Sequence, residues 1–223
     1  MENAWNHIQY GIEACLECDR QKFDEVLCKR AKKHPVEPSN VKILFISEAP
    51  PASGAYFYDE TRPDGLRDKL FLRLNEIGVK VETIQDFLDH GFFLVPTVKC
   101  PSGKPKPDGR SMNNKNPRSS VIRLCVERHL AREIEFMKPQ LIILLGGVTL
   151  MGCSRILSGL HRESVELARE KSPIIAQLRK LAFEIYPTYW PTQRHGHIED
   201  MKADFRKALS RLSYGPNHHI NTG

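Results

Sequence analysis

The sequence has no apolar run long enough to cross a bilayer. Its longest, Leu141 to Met151, is interrupted by Gly146 and Gly147. No membrane span is expected. The opening residues, with Glu2 and Glu13, lack the basic and then apolar order of a secretory leader, so the expected setting is a soluble protein in a reducing cytoplasm. In that setting the six cysteines are not naturally read as three disulfides. Internal repeats and long low-complexity segments are absent. Ser102-Gly103-Lys104 lacks the rest of a phosphate-binding P-loop, which sets nucleoside triphosphates aside.

What is present suits one globular domain with a full core, expected over residues 1–213 with 214–223 as a flexible tail. Hydrophobic content of 40% and charged content of 27% are ordinary for such a chain. A formal charge of +6 and a pI near 9.0 favour a polyanionic partner, because basic side chains displace counterions from a phosphate backbone. Charge alone does not decide between nucleic acid and none.

Four segments read as buried strands: Val41 to Ile46, Phe92 to Val98, Leu141 to Leu145 and Phe183 to Tyr189, the last interrupted by Glu184 and Pro187. Helical stripes lie between and after them. Leu66, Leu70, Leu74 and Ile77 mark one, closed by Gly78. Ile122, Val126, Leu130 and Ile134 mark another, with Cys125 one position off the stripe and turned from the core. Ile198, Met201, Phe205, Leu209 and Leu212 mark the last. Strands alternating with helices predict a three-layer α/β/α sandwich with a four-stranded, mainly parallel central sheet. Ligands of such sheets bind at the carboxyl ends of the strands. That rule selects the loops after Ser47, Lys99, Gly146 and Trp190.

The cysteine pattern is the sharpest chemical signal. Cys15-Leu16-Glu17-Cys18 supplies two ligands from one turn; Cys100 follows the second strand and Cys125 lies early in the next helix. Four such thiolates suit an iron–sulfur cluster or a structural zinc, and ordinary buried thiols are the plain alternative. Cys153 follows Gly152 in an apolar stretch and reads as a small core residue. Cys28 is less well placed as a ligand.

Three loops carry further chemistry. Lys99 to Arg118 holds Lys99, Lys104, Lys106, Arg110, Lys115 and Arg118 against Asp108, and is either a surface insertion or a track for a phosphate backbone. After the first strand, Glu48 is placed to act as a base or to orient water, and Tyr56-Phe57-Tyr58 offers flat faces for a nucleobase. The alternative there is a capping carboxylate and core aromatics. Trp190 to His197 gathers Trp190, Gln193, Arg194, His195 and His197, suited to wedging into a duplex or contacting phosphate, or to a plain polar loop.

Together these segments resemble the uracil-DNA glycosylase superfamily, closest to its iron–sulfur-containing family 4. The resemblance rests on Cys15 and Cys18, Ser47-Glu48-Ala49-Pro50-Pro51, Val98-Lys99-Cys100, Cys125, Leu144-Leu145-Gly146-Gly147-Val148 and Trp190-Pro191, in family order over about residues 12–212. It implies a monomeric DNA-repair glycosylase that flips a damaged base, deaminated and uracil foremost, from single- or double-stranded DNA and hydrolyses its N-glycosidic bond. It implies Glu48 as the catalytic group. Ala49, Pro50, Phe57, Tyr58 and Trp190 would line the base site, and Lys99, Lys104, Lys106, Arg110, Gln193, Arg194 and His195 would lie on the DNA. It also implies a structural 4Fe-4S cluster on Cys15, Cys18, Cys100 and Cys125, with zinc as the alternative. The chain departs from the family pattern where Ser47 and Pro51 replace glycines, where Pro96 stands near the base-reading asparagine, and where Trp190 replaces a histidine. These departures keep open a catalytically silent, nucleic-acid-binding relative. A zinc-stabilised hydrolase of small nucleosides is a third reading.

Overall fold

A computed structural model describes residues 4–23, 25–26, 34, 36–53, 56–105, 112–191 and 196–212. The chain begins with helices α1 (Ala4–Glu13) and α2 (Glu17–Arg20), then enters β1 (Ile43–Ser47). Helices α3 (Gly65–Glu76) and α4 (Ile84–Asp89) lead to β2 (Phe92–Pro96) and a small hairpin, β3 (Gly103–Pro105) and β4 (Met112–Asn114). Next come α5 (Ser119–Cys125), a π-helical turn (Val126–Leu130), α6 (Ala131–Met137) and β5 (Leu141–Leu145). The chain continues through α7 (Gly147–Cys153), α8 (Val165–Glu170), β6 (Ile174–Leu178), β7 (Leu181–Thr188) and α9 (Ile198–Leu209).

The central sheet has five strands in the order β2-β1-β5-β7-β6. β1 pairs in parallel with β2 and β5, and β5 with β7, while β6 closes the edge antiparallel to β7. Every residue of β1, β2 and β5 is buried, which is why these strands read as unbroken apolar runs. The expected four-stranded sheet is therefore corrected to five. β6 was not expected: it is short, and Ile175 and Gln177 face solvent in alternation with buried Ala176 and Leu178. The strand with the most interrupted sequence, β7, proves the longest at eight residues. The stretch from Lys99 to Arg118 is likewise not structureless, since β3 and β4 pair across it.

The second apolar stripe folds as α5, the π turn and α6 in continuous succession. Residues four apart advance past one face of an α-helix, whose turn takes 3.6 residues. A π turn absorbs the surplus. Ile122, Val126, Leu130 and Ile134 thus all reach full burial. The same geometry aligns a second stripe, Cys125, His129 and Glu133, all buried. Cys125 lies off the apolar stripe as expected, yet it is covered rather than turned to solvent. The covering comes from the N-terminal segment: α1 packs along the π turn and α6, burying Trp5, Gln9 and Ile12.

Helix α7 leaves β5 through Gly146 and comes close to the end of β2. A Cβ at Gly152 would meet Thr97 Cγ2 at 2.5 Å, and Ile122 Cγ2 and Val126 Cγ1 at 3.2 Å. Gly152→Ala is therefore expected to destabilise the protein by about 1–3 kcal/mol through overpacking. Urea unfolding checks this, and an unchanged midpoint would contradict the close approach. Among the described residues, no helix is long and apolar enough to cross a membrane.

Candidate active site and cysteine centre

The carboxyl ends of β1, β2, β5 and β7 meet at one mouth. Beyond their ladders, Thr97 N–H and Oγ1 both donate to Ser47 O at 2.7 Å, Val98 N–H donates to Glu48 O at 2.9 Å, and Gly146 N–H donates to Thr188 O at 2.9 Å. These bonds hold the motif loop against its neighbours. A cavity of about 400 Å³ opens there, within the range of small-molecule sites. Glu48, Ala49, Pro50, Phe57, Tyr58, Pro96 and Trp190 line it. The structure thus brings the expected acid and all five expected base-site residues into one place.

Glu48 sits half-buried in this mouth, and burial raises its carboxyl above the usual carboxylate range. Gly146 is the residue that makes room. Its φ of +88° belongs to the left-handed region, and a Cβ there would stand 3.3 Å from Glu48 Oε1 and 3.7 Å from Trp190 Cε3. Glu48, Gly146 and Trp190 therefore share one wall.

The two expected stacking residues differ in how they are held. Tyr58 Oη donates to Leu94 O at 3.1 Å and accepts from Leu94 N–H at 2.8 Å, satisfying the outer edge of β2. Its ring is fixed as wall. Phe57 packs edge-on against Phe71 and Phe87 and lines the cavity beside it. The turn that presents it is held by buried Arg67, which donates to the carbonyls of Phe57, Asp59 and Arg62.

Behind this wall lies a buried polar network. His34 Nδ1 and Tyr56 Oη are 2.7 Å apart, and both residues line the cavity. His34 N–H donates to Gln9 Oε1 at 2.9 Å, and Gln9 Nε2 donates to Glu133 Oε1 at 3.4 Å. Glu133 is ion-paired with Lys99, and both side chains are nearly inaccessible. Burial, with Lys99 adding to it, holds His34 well below the ordinary histidine range, so the ring is neutral. Lys99 was expected on DNA. That assignment is corrected: its side chain turns inward to Glu133 and to Pro96 O and has no solvent face.

On the far side of Lys99 is a second, smaller cavity lined by Cys15, Cys18, Cys100 and Cys125, with Ile12, Val98, Leu124 and His129. Lys99 N–H donates to Cys125 Sγ at 3.3 Å. Burial pushes the Cys125 thiol up to about 11, with Lys99 pulling the other way. None of Cys15, Cys18, Cys100, Cys125 or Cys153 is in a disulfide. Among the described residues, no group of three or more His, Cys, Asp or Glu side chains is placed to hold a single metal ion.

A family model for the uracil DNA glycosylase superfamily matches residues 34–213. The chain belongs to the uracil-DNA glycosylase superfamily. It is 29% identical over 212 residues to a Type-4 uracil-DNA glycosylase of Saccharolobus solfataricus, across 92% of this chain and 85% of that protein.

Within this superfamily member, several cavity residues escaped sequence reasoning: His34, Asp64, Ser102, Asn114, Asn116 and Pro117. The hairpin brings the last three in, and Asn114 Oδ1 accepts from Ala52 N–H at 2.8 Å, tying the basic loop to the motif loop. Its Asn-Asn pair amid lysines was the available signal. Asp64 accepts from Leu66 and Arg67 N–H as the cap of α3. Lys104 falls on β3. Lys106, Arg110, Gln193, Arg194, His195, Cys28 and the tail from 214 lie outside the described residues. The root of the last loop is braced: Tyr189 stacks on His197 at 3.9 Å, Arg169 lies 4.7 Å over Tyr189, and Arg169 also pairs with Asp204.

Proposed function

We propose that this chain is a DNA glycosylase that accepts a deaminated base, uracil foremost, flipped out of the strand, and hydrolyses its N-glycosidic bond. The observation that carries the reading is a half-buried carboxylate, Glu48, at the mouth of a parallel sheet, in a cavity walled by Phe57 and Trp190. The base stacks on Phe57, and backbone groups of the Glu48-Ala49-Pro50 turn help hold it. Glu48 orients a water on C1′ and takes its proton. The C1′–O bond forms as the C1′–N bond breaks, and the base leaves with the bonding electron pair. Lys104, Lys106, Arg110, Gln193, Arg194 and His195 are the residues proposed to contact the DNA.

The four cysteines are proposed to carry a 4Fe-4S cluster. Two observations support the fit. Cys15, Cys18, Cys100 and Cys125 line one small cavity, and four cysteines are the donor set of an iron–sulfur cluster, with zinc as the alternative. His129 Nε2 is buried beside them with no hydrogen-bond partner among the described residues, and it could donate to a cluster sulfur. When bound, the cluster supplies a structural tie between the N-terminal segment, the end of β2 and α5.

The test is a strand-cleavage panel with uracil, hypoxanthine, xanthine and oxidised bases in single- and double-stranded DNA. Excision of uracil is the expected result. DNA binding without turnover on any lesion would favour a silent relative. Turnover of free nucleosides with no DNA affinity would point to a nucleoside hydrolase.

A further inference from the structure

Lys99 lines the cysteine cavity and bonds to a lining residue of the base cavity. Its backbone N–H donates to Cys125 Sγ at 3.3 Å on the cysteine side. Its Nζ donates to the carbonyl of Pro96, a lining residue of the base cavity, and is ion-paired with Glu133. Glu133 carries the contact onward: Gln9 Nε2 reaches its Oε1 at 3.4 Å, and His34 Nε2 stands 3.8 Å from the same oxygen. Gln9 holds the backbone of His34, and His34 holds Tyr56. Two carbonyl-and-ring walls of the base cavity, Pro96 and His34–Tyr56, are thus anchored on one buried pair that abuts the cysteines.

Such a pair is a poor way to gain stability. Two charges removed from water cost several kcal/mol each, and well-packed apolar residues of similar volume often do as well or better. The geometry points to a different use. We propose that the Lys99–Glu133 pair is a positioning device that holds the Pro96 carbonyl and the His34–Tyr56 wall in register with the cysteine centre, so that base binding and cluster retention depend on each other. The proposal rests on the glycosylase reading and on the cluster. Neither residue touches the reacting atoms, so both act on substrate binding more than on bond cleavage. Because linkage between two sites is reciprocal, a bound base should also protect the cluster.

The test uses the full chain, purified anaerobically with its iron, as wild type, Glu133→Gln and the apolar double variant Lys99→Met/Glu133→Leu. Iron and sulfide content, melting temperature, and KM and kcat on a single-stranded oligonucleotide bearing one uracil are measured for each. Iron loss to a ferrous chelator is followed with and without that oligonucleotide. The double variant is expected to keep its iron and its melting temperature while KM rises tenfold or more and kcat falls less. In wild type the oligonucleotide should slow iron loss several-fold, and in the double variant it should not. A double variant with full iron, wild-type KM and intact protection would overturn the proposal and leave the pair a packing feature. Should the double variant fail to fold, Glu133→Gln, which keeps shape and removes the charge, decides between the same outcomes. An inactive wild type across the whole lesion panel would instead defeat the glycosylase reading.

Discussion

Glu48→Gln is expected to lower the rate of uracil excision by about 10²–10⁴-fold, the range for removing a positioned general base. Iron content should not change, because Glu48 lines the base cavity and the cysteines line another. The pH dependence follows from the environment of the carboxyl. Burial favours its neutral form, so its proton is held above the usual carboxylate range. The base role needs the ionised form. Activity of the wild type should therefore fall on the acid side at a higher pH than a solvent-exposed carboxylate would give, and the residual activity of the variant should lack that limb. Stability runs the other way. A carboxyl whose folded pKa is raised contributes most when protonated, and that contribution is lost as pH rises through the raised value. Glutamine has no such loss, so the variant should melt above wild type near pH 8 while its excision stays slow. Full excision by Glu48→Gln, measured by strand cleavage after alkali, would remove Glu48 from the mechanism.

The divided outcome of reading this site from its residues has a physical basis. Strands buried on both faces must be apolar throughout, so β1, β2 and β5 stand out in the sequence, and the rule that ligands sit at the carboxyl ends of such strands led straight to Glu48 and Trp190. The C-x2-C pair was equally legible, because two ligands from one turn require that spacing. Features that depend on distant partners were not. Lys99 lies among lysines and reads as one more basic residue of a surface loop; only the packing of α6 against the end of β2 puts Glu133 beside it. His34 lies within a basic stretch, and its partners Gln9 and Tyr56 come from separate segments of chain. α1 was missed because its buried side, Trp5, Gln9 and Ile12, includes a polar residue whose role appears only once Glu133 is in place. β6, half exposed and five residues long, carries too few alternations to stand out.

The second large effect concerns the cysteines. Cys100→Ala or Cys125→Ala is expected to abolish iron binding, bleach the broad visible absorbance and destabilise the protein by more than about 2 kcal/mol, the low end of what a covalent cross-link contributes. Metal-ligand bonds absent from the unfolded chain add to folding free energy outright. Here those bonds would join Cys15 and Cys18, which follow α1, to Cys100 beyond β2 and Cys125 at the end of α5. The damage should therefore begin at the N-terminus. Limited proteolysis of either variant should first cut around α1 and α2, whose docking covers Glu133 and His129, and uracil excision should fall with the loss of that cover. Cys153 is the control. It is fully buried in the core at the end of α7, outside the lining of the cysteine cavity, and burial pushes its thiol up to about 12. Cys153→Ala should keep full iron and colour and lose about 1 kcal/mol, the burial of roughly one heavy atom. Iron retained in Cys100→Ala, or zinc as the sole metal in anaerobically purified wild type, would show that the four thiols do not hold a 4Fe-4S cluster.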